Sequence, residues 1–362
     1  MDYDLNLEII TPVIINSGDF FEFCEIFPTD KLSKNDPNSR MDIPESYRFN
    51  QNRMDRIFNN LSSNEIKSFI EQSSNALLSQ NNEALTRLRR DLMSKCSKDV
   101  TKVPGRMLEI AHEELSKKPM QKVDKIMQNE INGFAYIPGS SVKGAMRTAI
   151  LEHLRKTKKI ESCPYNQNRR KELEAAVMGF DRFKVEDDPF KYMKVSDLGF
   201  DGLEAMQYIA RVGDDNKMPI YSAMTNSLAL SGNTVVAKGT LSIADEFYTK
   251  LNLKNDIDSL MEMLDDFYIN TIWNSEKVMD AINTSPRMKS LQKVIGDMWN
   301  NDYHMLRLGH YIGIQNYTFK IDQTQPPRKA RKDINKTGGR IVKIEGGIIP
   351  GVCMMKVKEA IS

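Results

Sequence analysis

Apolar and polar residues alternate from the start of the chain. Tyr3, Leu5, Leu7 and Ile9 are separated by Asp2, Asp4, Asn6 and Glu8, the period of two that marks a half-buried strand. Thr11-Pro12 ends the run, and Asn16-Ser17-Gly18-Asp19 reads as a turn before an aromatic strand at residues 20–27. Residues 33–44 are polar and loop-like. Residues 47–115 are helical in pattern and poor in glycine, the signature of an inserted helical lobe. Later strands are expected at 192–196, 208–212, 317–321, 340–344 and 352–357, with a hairpin over 222–243 around Ser231-Gly232-Asn233. Within it Val235, Ala237, Gly239, Leu241 and Ile243 share one side. Helices are expected at 168–178, 256–273 and 276–299. Strands interleaved with helices, without an internal repeat, make this an α+β protein.

The densest chemistry lies at Tyr136-Ile137-Pro138-Gly139-Ser140-Ser141-Val142-Lys143-Gly144-Ala145-Met146-Arg147. A strand end runs through a Pro-Gly turn into a helix that Ser140 or Ser141 is placed to cap. Val142, Met146, Ala149, Ile150 and Leu154 recur at helical spacing as an apolar face, and Lys143 and Arg147, four apart, share another. Free backbone N–H groups, two hydroxyls and two cations at the positive end of a helix suit a phosphate. The plain alternative is an ordinary capped helix with solvated Lys and Arg. It is neither a P-loop nor a dinucleotide fingerprint, because both spacings are wrong.

Ile137-Pro138-Gly139-Ser140-Ser141-Val142-Lys143-Gly144-Ala145-Met146-Arg147 closely resembles a signature of the RAMP superfamily of CRISPR-associated proteins. Three further pieces fall in the matching order: the first strand with Thr11-Pro12-Val13 and Asn16-Ser17-Gly18, then Phe190-Lys191-Tyr192-Met193-Lys194-Val195-Ser196-Asp197, then Leu306-Arg307-Leu308-Gly309-His310-Tyr311-Ile312-Gly313. Together they are similar to the type III-A Csm effector subunits that cap the backbone filament near the 3′ end of the guide RNA. The C-terminal element departs from the family's glycine-rich pattern, with Gly309 and Gly313 alone. The resemblance implies a single ferredoxin-like (RRM-like) core assembled from 1–30, 130–155, 190–245 and 303–362, with large helical insertions at 45–125 and 255–300. It implies a guide RNA (crRNA), neighbouring filament-forming RAMP subunits and other Csm subunits as partners, with host nucleases beside them. It also implies a role in guide RNA maturation. RNA contacts then fall to Asn16, Ser17, Gly18, Ser140, Ser141, Lys143, Arg147, Gly309, His310 and Gly313.

Composition narrows this further. The chain has 362 residues and a net charge of only +2, so bulk charge argues neither for nor against RNA. The distribution is lopsided. Between Pro326 and Lys343 seven Lys and Arg residues, among them Arg328, Lys329, Arg331 and Lys332, face Asp333 alone. That segment is an expected anion-binding surface, against the alternative of a solvated basic loop. Four scattered cysteines form no C-x-x-C pair, and no Cys/His cluster has zinc spacing, so neither a metal nor a cofactor is expected. No apolar run reaches membrane length and Met1-Asp2-Tyr3-Asp4 is not signal-like, which predicts a cytoplasmic protein.

Catalytic patterns are missing. His112, His153, His304 and His310 stand in no H-E-x-x-H, and no G-x-S-x-G occurs. His310, between glycines, is placed to stack on a base or bond a phosphate. Tyr303, Tyr311, Tyr317 and Phe319 are stacking candidates, though no RNP-type sequence accompanies them. Asp187-Asp188, Asp214-Asp215 and Asp265-Asp266 invite a metal-dependent nuclease reading, with solvated turns as the plainer one. The expectation is a non-catalytic RNA binder. The rivals are a RAMP-type endoribonuclease and a phosphometabolite-binding protein.

Overall fold

The structure is a computed structural model. It describes residues 1–21, 26–31, 47–51, 61–79, 81, 83–85, 87–88, 91, 100–103, 123–127, 135–160, 167–180, 185–200, 206–211, 220–225, 236–273, 279, 282–309 and 349–360. In chain order the elements begin with β1 (Asp2–Ile9), β2 (Asn16–Phe21), β3 (Ile26–Lys31), β4 (Tyr47–Gln51), α1 (Ser63–Leu78), β5 (Val100–Val103) and β6 (Val123–Ile126). Then come α2 (Gly139–Thr157), α3 (Gln167–Met178), β7 (Met193–Val195), β8 (Gly199–Phe200), β9 (Met206–Arg211), β10 (Ile220–Thr225) and β11 (Val236–Ile243). The chain continues through α4 (Asp245–Leu251), α5 (Ile257–Asp265), a π-helical extension (Asp266–Trp273), α6 (Pro286–Trp299), β12 (His304–Arg307) and β13 (Val352–Glu359).

Contacts divide the chain into two units, Met1–Ile15 with Met127–Ala205 and Asn233–Ser362, and Asn16–Ile126 with Met206–Gly232. In the first, the strand order is β12-β13-β1-β11-β7, with β8 also pairing β11, and every pair is antiparallel. The alternation of β1 is realised from Asp2 to Leu7 and fails at Glu8, which is buried. Leu5 faces Gly239 and Val357 across the ladders, Leu7 faces Ala237 and Met355, and both leucines are fully buried. Each such burial contributes about 1.5–3 kcal/mol. The helix α2 lays Val142, Met146, Ala149, Ile150 and Leu154 into the same core. Its carbonyl at Ala145 accepts a buried bond of 3.0 Å from the Tyr268 hydroxyl.

The second unit holds a sheet of order β2-β6-β10-β9, in which β6 and β10 run parallel, and a sheet of order β3-β4-β5. Three expectations change here. The hairpin over 222–243 does not form, because β10 pairs β9 and β6 in this unit while β11 pairs β1 in the other sheet. Two alternating runs looked like partners only because they are close in sequence. The stretch 47–115 is not wholly helical: α1 lies between β4 and β5, which pair with each other. Asn16–Asp19 is not a free turn but the start of β2, with a shift of register against β6 between Asn16 and Phe20. Gly18, at φ +90°, absorbs that irregularity. The expected segments 33–44, 317–321 and 340–344 lie outside the described residues.

Candidate nucleic-acid interface

The motif helix begins two residues earlier than a Ser140 cap requires, and three earlier than a Ser141 cap. Pro138 is the N-cap and Gly139 the first helical residue, which puts Ser140 and Ser141 inside the first turn, and the cap makes no side-chain bond of its own. The expectation of a serine cap is therefore corrected. A carboxylate from a distant segment binds there instead, as Asp197 Oδ1 accepts the Gly139 N–H at 2.8 Å. A negative group at this position is favoured by the helix dipole.

The same segment explains the glycine. Ile137 and Leu198 exchange backbone bonds of 3.0 and 2.8 Å. That bridge draws the chain so close that a Cβ on Gly139 would lie 2.2 Å from the Val195 carbonyl oxygen and 2.5 Å from that of Ser196. Gly239 on β11 is similarly crowded by Ser196 Oγ and the Leu198 side chain, at 2.8 and 2.9 Å. Ser196 Oγ accepts the Thr240 N–H at 2.8 Å. Two of the four resembling pieces, the helix motif and Val195-Ser196-Asp197, thus form one packed unit.

The first and last pieces form another. Gly309, at φ +88°, sits where a Cβ would be 2.4 Å from the Ile14 carbonyl oxygen. Leu308 N–H donates to Gly351 O at 2.8 Å, Gly351 N–H to Pro12 O at 2.9 Å, and Val352 N–H to Thr11 Oγ1 at 2.8 Å. Glycine is demanded there by a close backbone approach and a left-handed conformation, both internal to the protein. Arg307, next to it, is 3% exposed, donates from Nη2 to Pro350 O at 3.0 Å, and has its pKa pulled down to about 10 by desolvation. Its neighbours Leu306 and Leu308 are the sequence signal for that burial.

The two motif cations differ. Arg147 Nη1 donates to both oxygens of Asp188, at 3.0 and 2.8 Å, and Nη2 lies 3.7 Å from Glu174. Its guanidinium also stacks on Phe190, 4.6 Å from the ring centroid. Lys143 is half-buried and makes no hydrogen bond or ion pair among the described residues. Burial lowers its pKa, the Asp188 charge works against that, and Arg147 adds to it. Ser140 is exposed and Ser141 half-buried.

In the second unit Ser17 and Gly18 are exposed, Asn16 is half-buried, and Ser17 Oγ accepts the Asp19 N–H at 3.2 Å. His310, Gly313, Arg328, Lys329, Arg331 and Lys332 lie outside the described residues. The aspartate pairs have partners: Asp188 holds Arg147, Asp266 holds Lys156 at 3.0 Å, and Asp265 Oδ2 meets Trp299 Nε1 and His304 Nδ1 at 3.1 and 2.9 Å. Asp214-Asp215 lies outside the described residues. Sequence reasoning missed Asp188 and Asp197 as supports of the motif helix. Their only signal was their place within and beside the Phe190–Asp197 piece.

Comparisons with known proteins bear on the family and the fold. The family model described as the RAMP superfamily matches residues 6–273. Among solved structures, a chain in the cryo-EM structure of a Csm–crRNA–target RNA ternary complex of a type III-A CRISPR-Cas system is 16% identical, with a TM-score of 0.58 over 98% of this chain and 100% of that one. The crystal structure of T. onnurineus Csm5 is 15% identical, with a TM-score of 0.52 over 96% and 99%. These likenesses are of fold. No curated protein matches in sequence.

Proposed function

The chain belongs to the RAMP superfamily, and from that premise we propose that it is a non-catalytic RNA-binding subunit of a type III-A CRISPR–Csm effector. In this reading it binds the guide RNA towards its 3′ end, caps the filament of neighbouring RAMP subunits and supports guide RNA maturation in the cytoplasm. The observation that carries it is the fold likeness, over nearly the whole of both chains, to a component of a Csm–crRNA–target RNA complex.

The core is read as ferredoxin-like. Chain order β1-α2-β7-β11-α5-β13 and spatial order β13-β1-β11-β7 support a βαββαβ unit, with β12 added at the edge. Lys143, Ser140 and Ser141 at the start of α2 supply contacts to the RNA backbone, and Ser17 and Gly18 offer further exposed contacts. Hydroxyls, N–H groups and an ammonium recognise phosphate without reading bases, which suits a subunit that accepts any spacer. His310, Gly313 and the basic residues Arg328, Lys329, Arg331 and Lys332 are proposed to extend that contact.

The test is reconstitution. Effector complexes assembled with and without this chain are compared by the length of their guide RNA. The proposal predicts that omission leaves longer or more heterogeneous 3′ ends and that the added chain, which cuts nothing by itself, restores the mature length. Identical guide RNA in both preparations contradicts it.

A further inference from the structure

Lys143 and Arg147 stand one turn apart on the motif helix, and the obvious reading gives both to phosphate. The structure treats them unequally. We propose that Arg147 is a positioning residue that does not touch RNA: paired with Asp188, it holds segment 188–198 against α2, so that Lys143 is the motif cation left to meet phosphate. This rests on the RNA-binding reading above.

The Arg147 guanidinium is already engaged inside the protein. Two charge-assisted bonds of 2.8 and 3.0 Å run to one carboxylate, Glu174 lies at 3.7 Å, and Phe190 covers a face. Both bonds leave the one nitrogen Nη1, and charge-assisted bonds of this kind are the strong ones, so a phosphate on that nitrogen would have to displace a carboxylate already bonded there. Both side chains of the pair are about three-quarters buried, at 24% exposure each.

What the pair holds is specific. Asp188 Oδ1 also accepts the Phe190 N–H at 2.9 Å, capping the short 3-10 turn Pro189–Tyr192. Phe190 packs edge-on against Phe247 of α4, with centroids 5.3 Å apart. The chain then runs through β7 to Asp197, which takes the Gly139 N–H. Segment 188–197 is therefore bonded to α2 by a carboxylate at each end. Lys143 sits four residues after Gly139 and four before Arg147, on the stretch of helix between the two attachments.

The experiment titrates the full-length chain with a fluorescent, unstructured single-stranded RNA over a salt series. It compares the wild type with Lys143→Ala, Arg147→Ala, Asp188→Asn and the double variant Arg147→Ala/Asp188→Asn, alongside thermal melts. Lys143→Ala should flatten the slope of log K against log salt by about 0.7, one phosphate on a single strand, with an unchanged melting temperature. Arg147→Ala and Asp188→Asn should each weaken binding by about three- to tenfold at the wild-type slope and lower the melting temperature. The double variant should bind no worse than the weaker single one, because both remove the same pair.

Either of two results overturns the proposal: a flatter slope for Arg147→Ala, or tighter binding by Asp188→Asn, in which a freed guanidinium has gained a phosphate. If Arg147→Ala does not fold, the sign of the Asp188→Asn effect decides alone. Wild-type protein without salt-dependent RNA binding defeats the functional reading and this proposal with it. Non-additive melting temperatures for Arg147 and Asp188 would survive even then.

Discussion

Gly139 and Gly144 lie five residues apart in one motif, and the structure gives alanine opposite effects at them. At Gly139 the new methyl would stand 2.2 and 2.5 Å from two backbone oxygens, which no side-chain rotation relieves. Segment 195–198 has to retreat, straining or breaking the two Ile137–Leu198 bonds and the bond from Gly139 to Asp197. Overpacking costs about 1–3 kcal/mol, and each hydrogen bond lost adds about 1 kcal/mol. With all three bonds broken a loss of about 4–6 kcal/mol follows. For a unit of this size that lowers Tm by at least about 8 °C, at roughly 2–4 °C per kcal/mol. Gly144 is exposed in the interior of α2, with nothing within 4 Å of its Cβ position. Alanine there gains about 0.5–1 kcal/mol of helix propensity. Calorimetry or circular-dichroism melts of Gly139→Ala and Gly144→Ala test both. A Gly139→Ala Tm at or above wild type, or a destabilised Gly144→Ala, would refute the packing described for this motif.

Three further outcomes are expected. Glu8 is buried on β1 and bonded by Tyr303, and desolvation raises its pKa, so the native state prefers it protonated. Its stabilising share is present below the unfolded pKa and lost as pH rises through the folded one. Glu8→Gln should therefore raise Tm at neutral pH, with the gain fading towards pH ~4, the unfolded carboxyl range; a pH series of melts checks this. Tyr268→Phe removes the buried bond to Ala145 O and should cost about 1 kcal/mol in urea unfolding, with an unchanged m-value. Asp197→Ala removes the helix cap and should cost about 1 kcal/mol, whereas Asp197→Asn should recover most of it.

Much of this was legible in the chain itself. Tyr3, Leu5, Leu7 and Ile9 announced β1 because one sheet face is buried and the period of two has no competitor. The apolar face of α2 was readable from Val142 to Leu154 for the same reason at helical spacing. Local pattern does not carry partners. Asp197 caps a helix 58 residues away and Asp188 pairs with Arg147 across 41, so the serine nearest the helix start looked like the cap and the arginine looked unpaired. The alternating runs at β10 and β11 had the composition of a hairpin, yet each pairs with strands far along the chain, in different sheets. Gly309 read as a loop open to a ligand, but its conformation answers to Ile14.

The central claim is that this chain grips the backbone of single-stranded RNA through several phosphates. The most direct measurement is the affinity of the purified chain for two single-stranded RNAs of equal length and unrelated sequence, taken across a salt series. Each phosphate contact steepens the fall of log K with log salt by about 0.7. The account predicts a slope of at least about −2, the same for both sequences, with mononucleotides competing poorly. A flat salt dependence, or a mononucleotide that binds as tightly as the RNA, would contradict it.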